Sequence, residues 1–279
     1  MTNTIFITGA SSGVGLASAK LFYKNGWNVV ATMRSPDKAT ELKEFDTSRM
    51  LVQRLDLQDK ETIAPAINAA LSKFTKVDVL LNNAGYGQYG VFEMLPPERI
   101  QEQFDVNLFG HMNVIRGMLP HFRANNNNSG IINVSSGVGL FAVPLSCLYA
   151  ASKFALEGFS EALSYELATQ NIFVKNVIPH GGISSTNFLQ SSLAKASLDP
   201  ALFPSYGDLI SKMMKTFEGM AAAASISSDD VAGVIYEAAT DGSNRFRYLV
   251  GNDESGFIKA RYESTTDEEY MSRMRATFQ

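Results

Sequence analysis

Over roughly the first two thirds of the chain, short β-branched runs alternate with longer stretches whose apolar residues recur at helical spacing. The runs at 4–8, 28–32, 50–56, 77–82, 131–135 and 172–178 read as strands, and 248–250 as one more near the end. The run 4–8 has almost no polar side, as expected of a strand buried on both faces. Residues 13–25 read as the first helix. Residues 96–123 read as a long one, with Ile100, Phe104, Leu108, Ile115 and Leu119 on a single stripe. Alternation of this kind implies parallel strands joined by right-handed crossovers, an α/β doubly wound sheet with helices on both faces.

The alternation breaks at 186–226, a stretch rich in Ser, Ala, Met and Phe that contains Pro200 and Pro204. Only one strand-like run follows it, so it reads as a helical, lid-like insertion in a single domain spanning 1–279. The polar stretch 253–279 reads as one or two surface helices, and the Asn-rich residues 125–130 as a turn.

Composition narrows the function classes. Hydrophobic residues make up 45% and charged residues 19% of 279, ordinary for a globular protein with a core of its own. A net charge of −4 argues against a broad basic face for nucleic acid or an anionic membrane. Cys147 is the sole cysteine, which excludes an intramolecular disulfide and a thiolate metal cluster. His111, His121 and His180 are too scattered to predict a zinc site. The N-terminal residues lack a secretory signal pattern, and no apolar run reaches the ~18 residues of a membrane span, so the cytoplasm is the expected location.

Directly after the first strand stands Thr8-Gly9-Ala10-Ser11-Ser12-Gly13-Val14-Gly15. Glycines between a strand and a helix let backbone N–H groups and the helix N-terminus approach a pyrophosphate. The end of the second strand discriminates between dinucleotides, because NAD enzymes usually carry a ribose-binding carboxylate there. Here it runs Thr32-Met33-Arg34. Arg34 can fork onto a 2′-phosphate, with Ser12 adding a hydroxyl, so NADP(H) is the expected cofactor. Asp37 reads as part of a helix start capped by Ser35.

Tyr149 and Lys153 stand at i and i+4, on one helix face. A lysine one turn away and a bound nicotinium would both favour phenolate, lowering a tyrosine pKa from about 10. Alone the pair is a common surface motif. Ser136 stands 13 residues before Tyr149 at the end of the fifth strand, and Asn82-Asn83-Ala84-Gly85 ends the fourth. Strand ends of a parallel sheet gather at its carboxyl edge, where ligands bind.

With these motifs in this order, residues 4–187 and the last strand resemble the short-chain dehydrogenase/reductase family. The resemblance rests on Thr8-Gly-x-x-x-Gly13-x-Gly15, Asp56-Leu57, Asn82-Asn83-Ala84-Gly85, Asn107, Ser136 and Tyr149-x-x-x-Lys153. It implies a Rossmann-type sheet of about seven strands and a Ser–Tyr–Lys–Asn tetrad acting on a carbonyl or alcohol. Ser136 would bind the carbonyl oxygen and Tyr149 would protonate it. Lys153 would hold the nicotinamide ribose, and Asn107 a water leading to solvent. On the cofactor side the resemblance implies Gly9, Ser11, Ser12, Gly13, Val14 and Gly15 at the phosphates. It also implies Asp56 and Leu57 at the adenine, Asn83, Ala84 and Gly85 along the cleft, and Ile183 and Thr186 at the carboxamide. His180 stands where the family has proline, with Pro179 one place early; it reads equally as substrate-facing or structural.

Chain length and the Arg-Tyr-Leu-Val segment at 247–250 resemble the branch holding hydroxysteroid and retinol dehydrogenases. Phe188, Leu189, Leu193, Phe203, Tyr206, Met213, Met214 and Phe217 in the insertion suit a cover over an apolar substrate, or equally helix packing. Phe141, Val143 and Leu148 suit an apolar mouth. The expected function is reduction of an apolar ketone or aldehyde with NADPH. An NADP-dependent epimerase and a non-catalytic NADP sensor are the alternatives. The family resemblance further implies a homodimer or homotetramer through the helices around Asn107 and Tyr149.

Overall fold

The computed structural model describes residues 2–125, 129–184, 188–193, 196, 203–222 and 226–278. Seven strands form one sheet of order β3-β2-β1-β4-β5-β6-β7. They are β1 (Thr4–Thr8), β2 (Asn28–Met33), β3 (Met50–Arg54), β4 (Val79–Asn82), β5 (Ser129–Val134), β6 (Ile172–Pro179) and β7 (Arg247–Val250). All neighbouring pairs are parallel, so every strand points its carboxyl end to the same edge. The order reverses between β1 and β4, which opens a crevice at that edge.

The continuous apolar strands follow from burial on both sides. Ile5, Ile7, Val29, Ala31, Val79, Leu81, Ile132 and Val134 pack into one core, against α1 (Gly13–Lys24) and α8 (Ser228–Thr240). The residues between them, Phe6, Val30, Leu80 and Ile131, enter a second core on the opposite face. That core is closed by α2 (Ile63–Phe74), α4 (His111–Ala124) and α5 (Cys147–Ala168). Fully burying a side chain such as Phe6 is worth about 1.5–3 kcal/mol, so a polar residue at these positions would cost on either side.

Several expected boundaries move for local reasons. β4 begins at Val79 because the Val77 amide donates to His121 Nε2. β3 stops at Arg54, since Asp56 starts a turn in which its N–H goes to Thr62 Oγ1. β5 begins two residues early, at Ser129, where Gly130 leaves room for the Phe173 ring of β6. Ser35 makes no capping bond, and Pro36–Lys38 is a single 3₁₀ turn rather than a helix start.

The long helix at 96–123 is interrupted. α3 (Pro97–Phe104) passes through a π turn, Asp105–Gly110, before continuing as α4. The insertion supplies α6 (Phe188–Leu193) and α7 (Phe203–Ala222). α9 (Phe257–Glu263) and α10 (Asp267–Phe278) follow β7, and their Phe257, Ala260 and Met274 are buried rather than lying wholly on the surface. Together with Tyr89, Phe141, Tyr149, Met213 and Phe217 they form a third apolar cluster. No helix among the described residues is long and apolar enough to cross a membrane.

Candidate active site

The residues singled out in the sequence converge on the carboxyl edge. Gly9 takes φ +71° directly after β1, a left-handed conformation that favours glycine. A Cβ on Gly15 would stand 2.3 Å from the Gly9 carbonyl oxygen, so the turn closes only without a side chain. Ser12 makes no capping bond, α1 carries no acidic residue in its first turn, and Ser11 and Ser12 are exposed. Val14 is buried beneath them. Such a cradle, with a positive helix end and close backbone, fits a pyrophosphate.

Arg34 is exposed at the end of β2, and none of the ion pairs among the described residues engages it. Ser11, Leu16, Lys38, Thr40 and Glu41 line a small polar cleft next to the glycine turn. Lys38 is a basic residue that the sequence alone did not single out, although it stands only four positions after Arg34.

Asn83 braces the glycine turn. Its Nδ2 donates to the carbonyls of Thr8 and Gly9, at 3.0 and 3.1 Å. The Thr8 hydroxyl accepts from the amides of Asn83 and Ala84. Asp56 is half-buried and accepts from the Gln58 amide, and Leu57 packs against Gly110. Gly85 lies against the Asn107 side chain. Ile183 forms a β-bridge with Ile226, where the Ser184 amide donates to the Ile226 carbonyl. Thr186, Leu189, Leu193 and Phe203 belong to positions or side chains outside those described.

Ser136 and Tyr149 meet. The Ser136 hydroxyl hydrogen-bonds the Tyr149 side chain, while Tyr149 itself is only 6% exposed. Burial pushes the phenol up to about 12, and the bond from Ser136 opposes this only in part. In the chain by itself burial sets the direction, and Lys153 is not among the groups acting on the phenol. Lys153 is also buried, and its ammonium donates to the Val134 carbonyl at 2.8 Å. Burial brings its pKa down to about 8, against the opposing charge of Glu157 one turn on.

Asn107 sits within the π turn, fully buried. Its Oδ1 accepts from the Tyr86 amide, and its Nδ2 donates to the Tyr86 carbonyl and to Ser152 Oγ. Ser152 Oγ in turn donates to the Tyr149 carbonyl, so Asn107 braces the helix that carries Tyr149. Single π turns inside helices are frequent at functional sites.

The sequence did not reveal the shell around Tyr149. Tyr89 and Phe188 flank its ring at centroid distances of 5.9 and 5.6 Å, and Phe217 packs on Tyr89. The Gly87 amide donates to the buried Ser192 of α6. The insertion therefore both covers Tyr149 and packs its own helices. His180 is half-buried, and its Nδ1 donates to the Asn252 carbonyl at 3.0 Å, which ties the end of β6 to the segment after β7. Phe141, Met220 and Phe257 line a small cleft beside it.

Comparison with known proteins agrees with this geometry. The model of the short chain dehydrogenase family matches residues 3–196. An uncharacterized oxidoreductase of Schizosaccharomyces pombe is 37% identical over 223 residues, 79% of this chain and 89% of that protein. Human retinol dehydrogenase 8 is 38% identical over 208 residues, 72% of this chain and 64% of its own. A short-chain dehydrogenase from Streptomyces avermitilis superposes with a TM-score of 0.81 at 26% identity, covering 99% of this chain and 98% of that one. The Brucella melitensis 3-ketoacyl-(acyl-carrier-protein) reductase, solved with NADH, superposes with a TM-score of 0.73 at 27% identity, covering 89% and 96%. With its seven-stranded parallel sheet and these relatives, the chain belongs to the short-chain dehydrogenase/reductase family of oxidoreductases, and within it resembles the retinol dehydrogenases.

Proposed function

We propose that this chain reduces an apolar ketone or aldehyde with NADPH. The observation that carries this reading is a protonated phenol, Tyr149, bonded to the Ser136 hydroxyl beneath an aromatic cover at the carboxyl edge. NADPH supplies the hydride when bound. Ser136 holds the carbonyl oxygen, and Tyr149 delivers its hydroxyl proton there as the carbon accepts the hydride, leaving an alcohol. Lys153 stabilises the resulting phenolate and binds the nicotinamide ribose. The Asn107 amide is committed to Tyr86 and Ser152, so its role in proton resupply falls to its backbone in the π turn. Gly9, Ser11, Ser12, Gly13, Val14 and Gly15 receive the pyrophosphate. Asp56 and Leu57 border the adenine, Asn83, Ala84 and Gly85 wall the cleft, and Ile183 and Thr186 meet the carboxamide. Tyr89, Phe188, Met213 and Phe217 favour an apolar substrate.

The test is NADPH consumption over a panel of apolar ketones and aldehydes, with NADH in parallel. Turnover with NADPH is expected; none on any carbonyl with either cofactor overturns the reading. Arg34→Ala is expected to raise the KM for NADPH roughly tenfold while leaving that for NADH nearly unchanged. An unchanged NADPH/NADH preference removes Arg34 from the 2′-phosphate site.

The pH dependence follows from the two pKa shifts. The phenol, raised to about 12, stays protonated throughout the neutral range, as a proton donor must. Lys153, lowered to about 8, loses its charge above that pH, and with it the cation that stabilises phenolate. The kcat for reduction is therefore expected to be level from about pH 6 to 8 and to fall above it. A rate that rises through pH 9 contradicts this assignment of proton donor and supporting cation.

Phe109, Phe154 and Tyr165 are exposed on the helices named for self-association, which supports pairing of two copies.

A further inference from the structure

His111 is fully buried at the start of α4, one turn beyond Asn107. Its Nε2 lies 2.7 Å from the Ala84 carbonyl oxygen. A carbonyl only accepts, so Nε2 carries the proton. Burial presses the imidazole down to about 3, with the Lys153 charge acting in the same direction, so the ring is neutral at physiological pH. Nδ1 has no hydrogen-bond partner among the described residues, and the ring is therefore held through Nε2.

The loop that His111 grips is the wall between the two halves of the site. A Cβ on Gly9 would come within 2.8 Å of Ala84 Cα, so Ala84 rests directly on the glycine turn. Two residues further, Tyr86 is held through both its amide and its carbonyl by Asn107. Lys153 Nζ lies 3.8 Å from where a Cβ on Gly85 would stand, so the same loop also borders the catalytic lysine. One helical segment thus grips the loop at two points, Ala84 through His111 and Tyr86 through Asn107. Both side chains face it because residues four apart lie on one side of a helix.

We propose that His111 is a positioning residue for cofactor binding: its Nε2–H fixes the Ala84 carbonyl and so presses the 83–85 loop onto the glycine turn. The inference rests on the reading of that turn as the nucleotide cradle. His111 touches neither carbonyl nor hydride in this role. Its loss acts on affinity for the nucleotide rather than on the chemical step.

The test compares His111→Gln, His111→Asn and His111→Leu. A glutamine amide reaches the place of Nε2 and can donate to Ala84, whereas asparagine has similar polarity but is too short. NADPH affinity is read by fluorescence titration, alongside KM and kcat at saturating NADPH and the thermal midpoint. Asn and Leu are expected to weaken NADPH binding roughly tenfold, the value of one buried hydrogen bond, with kcat nearly preserved and Gln close to the unsubstituted protein. If all three lower the thermal midpoint while NADPH affinity stays unchanged, His111 only fills the core and the proposal falls. It also falls if Gln binds NADPH as poorly as Leu, since volume rather than the donor then matters. Should the Leu variant not fold, the Gln–Asn pair decides. An unsubstituted protein that binds no NADPH overturns the cofactor reading itself, and this inference with it.

Discussion

Tyr149→Phe is expected to lower kcat by about three orders of magnitude, the upper part of the range for removing a positioned general acid. The argument rests on what the substitution keeps. The phenyl ring retains its contacts with Tyr89 and Phe188, at 5.9 and 5.6 Å, so the cover over the site has no reason to shift. What disappears is one hydroxyl and its bond to Ser136. Ser136 can still hold a carbonyl oxygen, but the other titratable groups described at the site are committed elsewhere. Lys153 is tied to the Val134 carbonyl, and the neutral His111 ring to Ala84. NADPH affinity should remain within about threefold, since the phenol contributes little to the phosphate end. Single-turnover measurements with saturating NADPH separate the chemical step from release. A variant that keeps more than about a tenth of its turnover would require another proton donor and would dismantle the assignment.

Much of the carboxyl-edge site was legible in the sequence because most of its parts lie at strand ends or helix starts. β1 matched the run 4–8 since both faces of that strand are buried, which writes an unbroken apolar word. Ser136 and Tyr149 meet because one follows β5 and the other opens α5, as parallel topology requires. The π turn was not legible. A helical stripe reports which face is buried and not the hydrogen-bond register, so Asn107 and His111 looked like ordinary stripe neighbours. The shell of Tyr89, Phe188 and Phe217 comes from distant segments, and no local period links them. Burial raises the Tyr149 pKa in the chain by itself, and the depth of that burial is not visible in the sequence. Asn83 was legible as a cleft residue, but not as the brace that bonds two carbonyls of the glycine turn.

That brace makes Gly15 the position where a single methyl group does most damage to nucleotide binding. Gly15→Ala would place a Cβ 2.3 Å from the Gly9 carbonyl oxygen and 2.5 Å from Asn83 Nδ2. Neither neighbour is the far end of a flexible side chain. The Gly9 oxygen is backbone in a left-handed turn, and Asn83 Nδ2 is already committed to Thr8 and Gly9. Relief therefore has to come from moving the turn or rotating Asn83 out of its bonds. Either movement displaces the N–H groups proposed to receive the pyrophosphate and loosens Ala84, which rests on the same turn. Overpacking of this kind costs about 1–3 kcal/mol in a core, and here it adds to the loss of the cradle. NADPH affinity is expected to fall at least about a hundredfold, equivalent to about 2.7 kcal/mol. The sheet itself should persist, because Phe6, Leu80 and Ile131 remain buried on the far face from α1. Titration of NADPH fluorescence together with far-ultraviolet circular dichroism distinguishes the outcomes. Unimpaired binding by a folded Gly15→Ala protein would mean that the pyrophosphate lies elsewhere than on this turn.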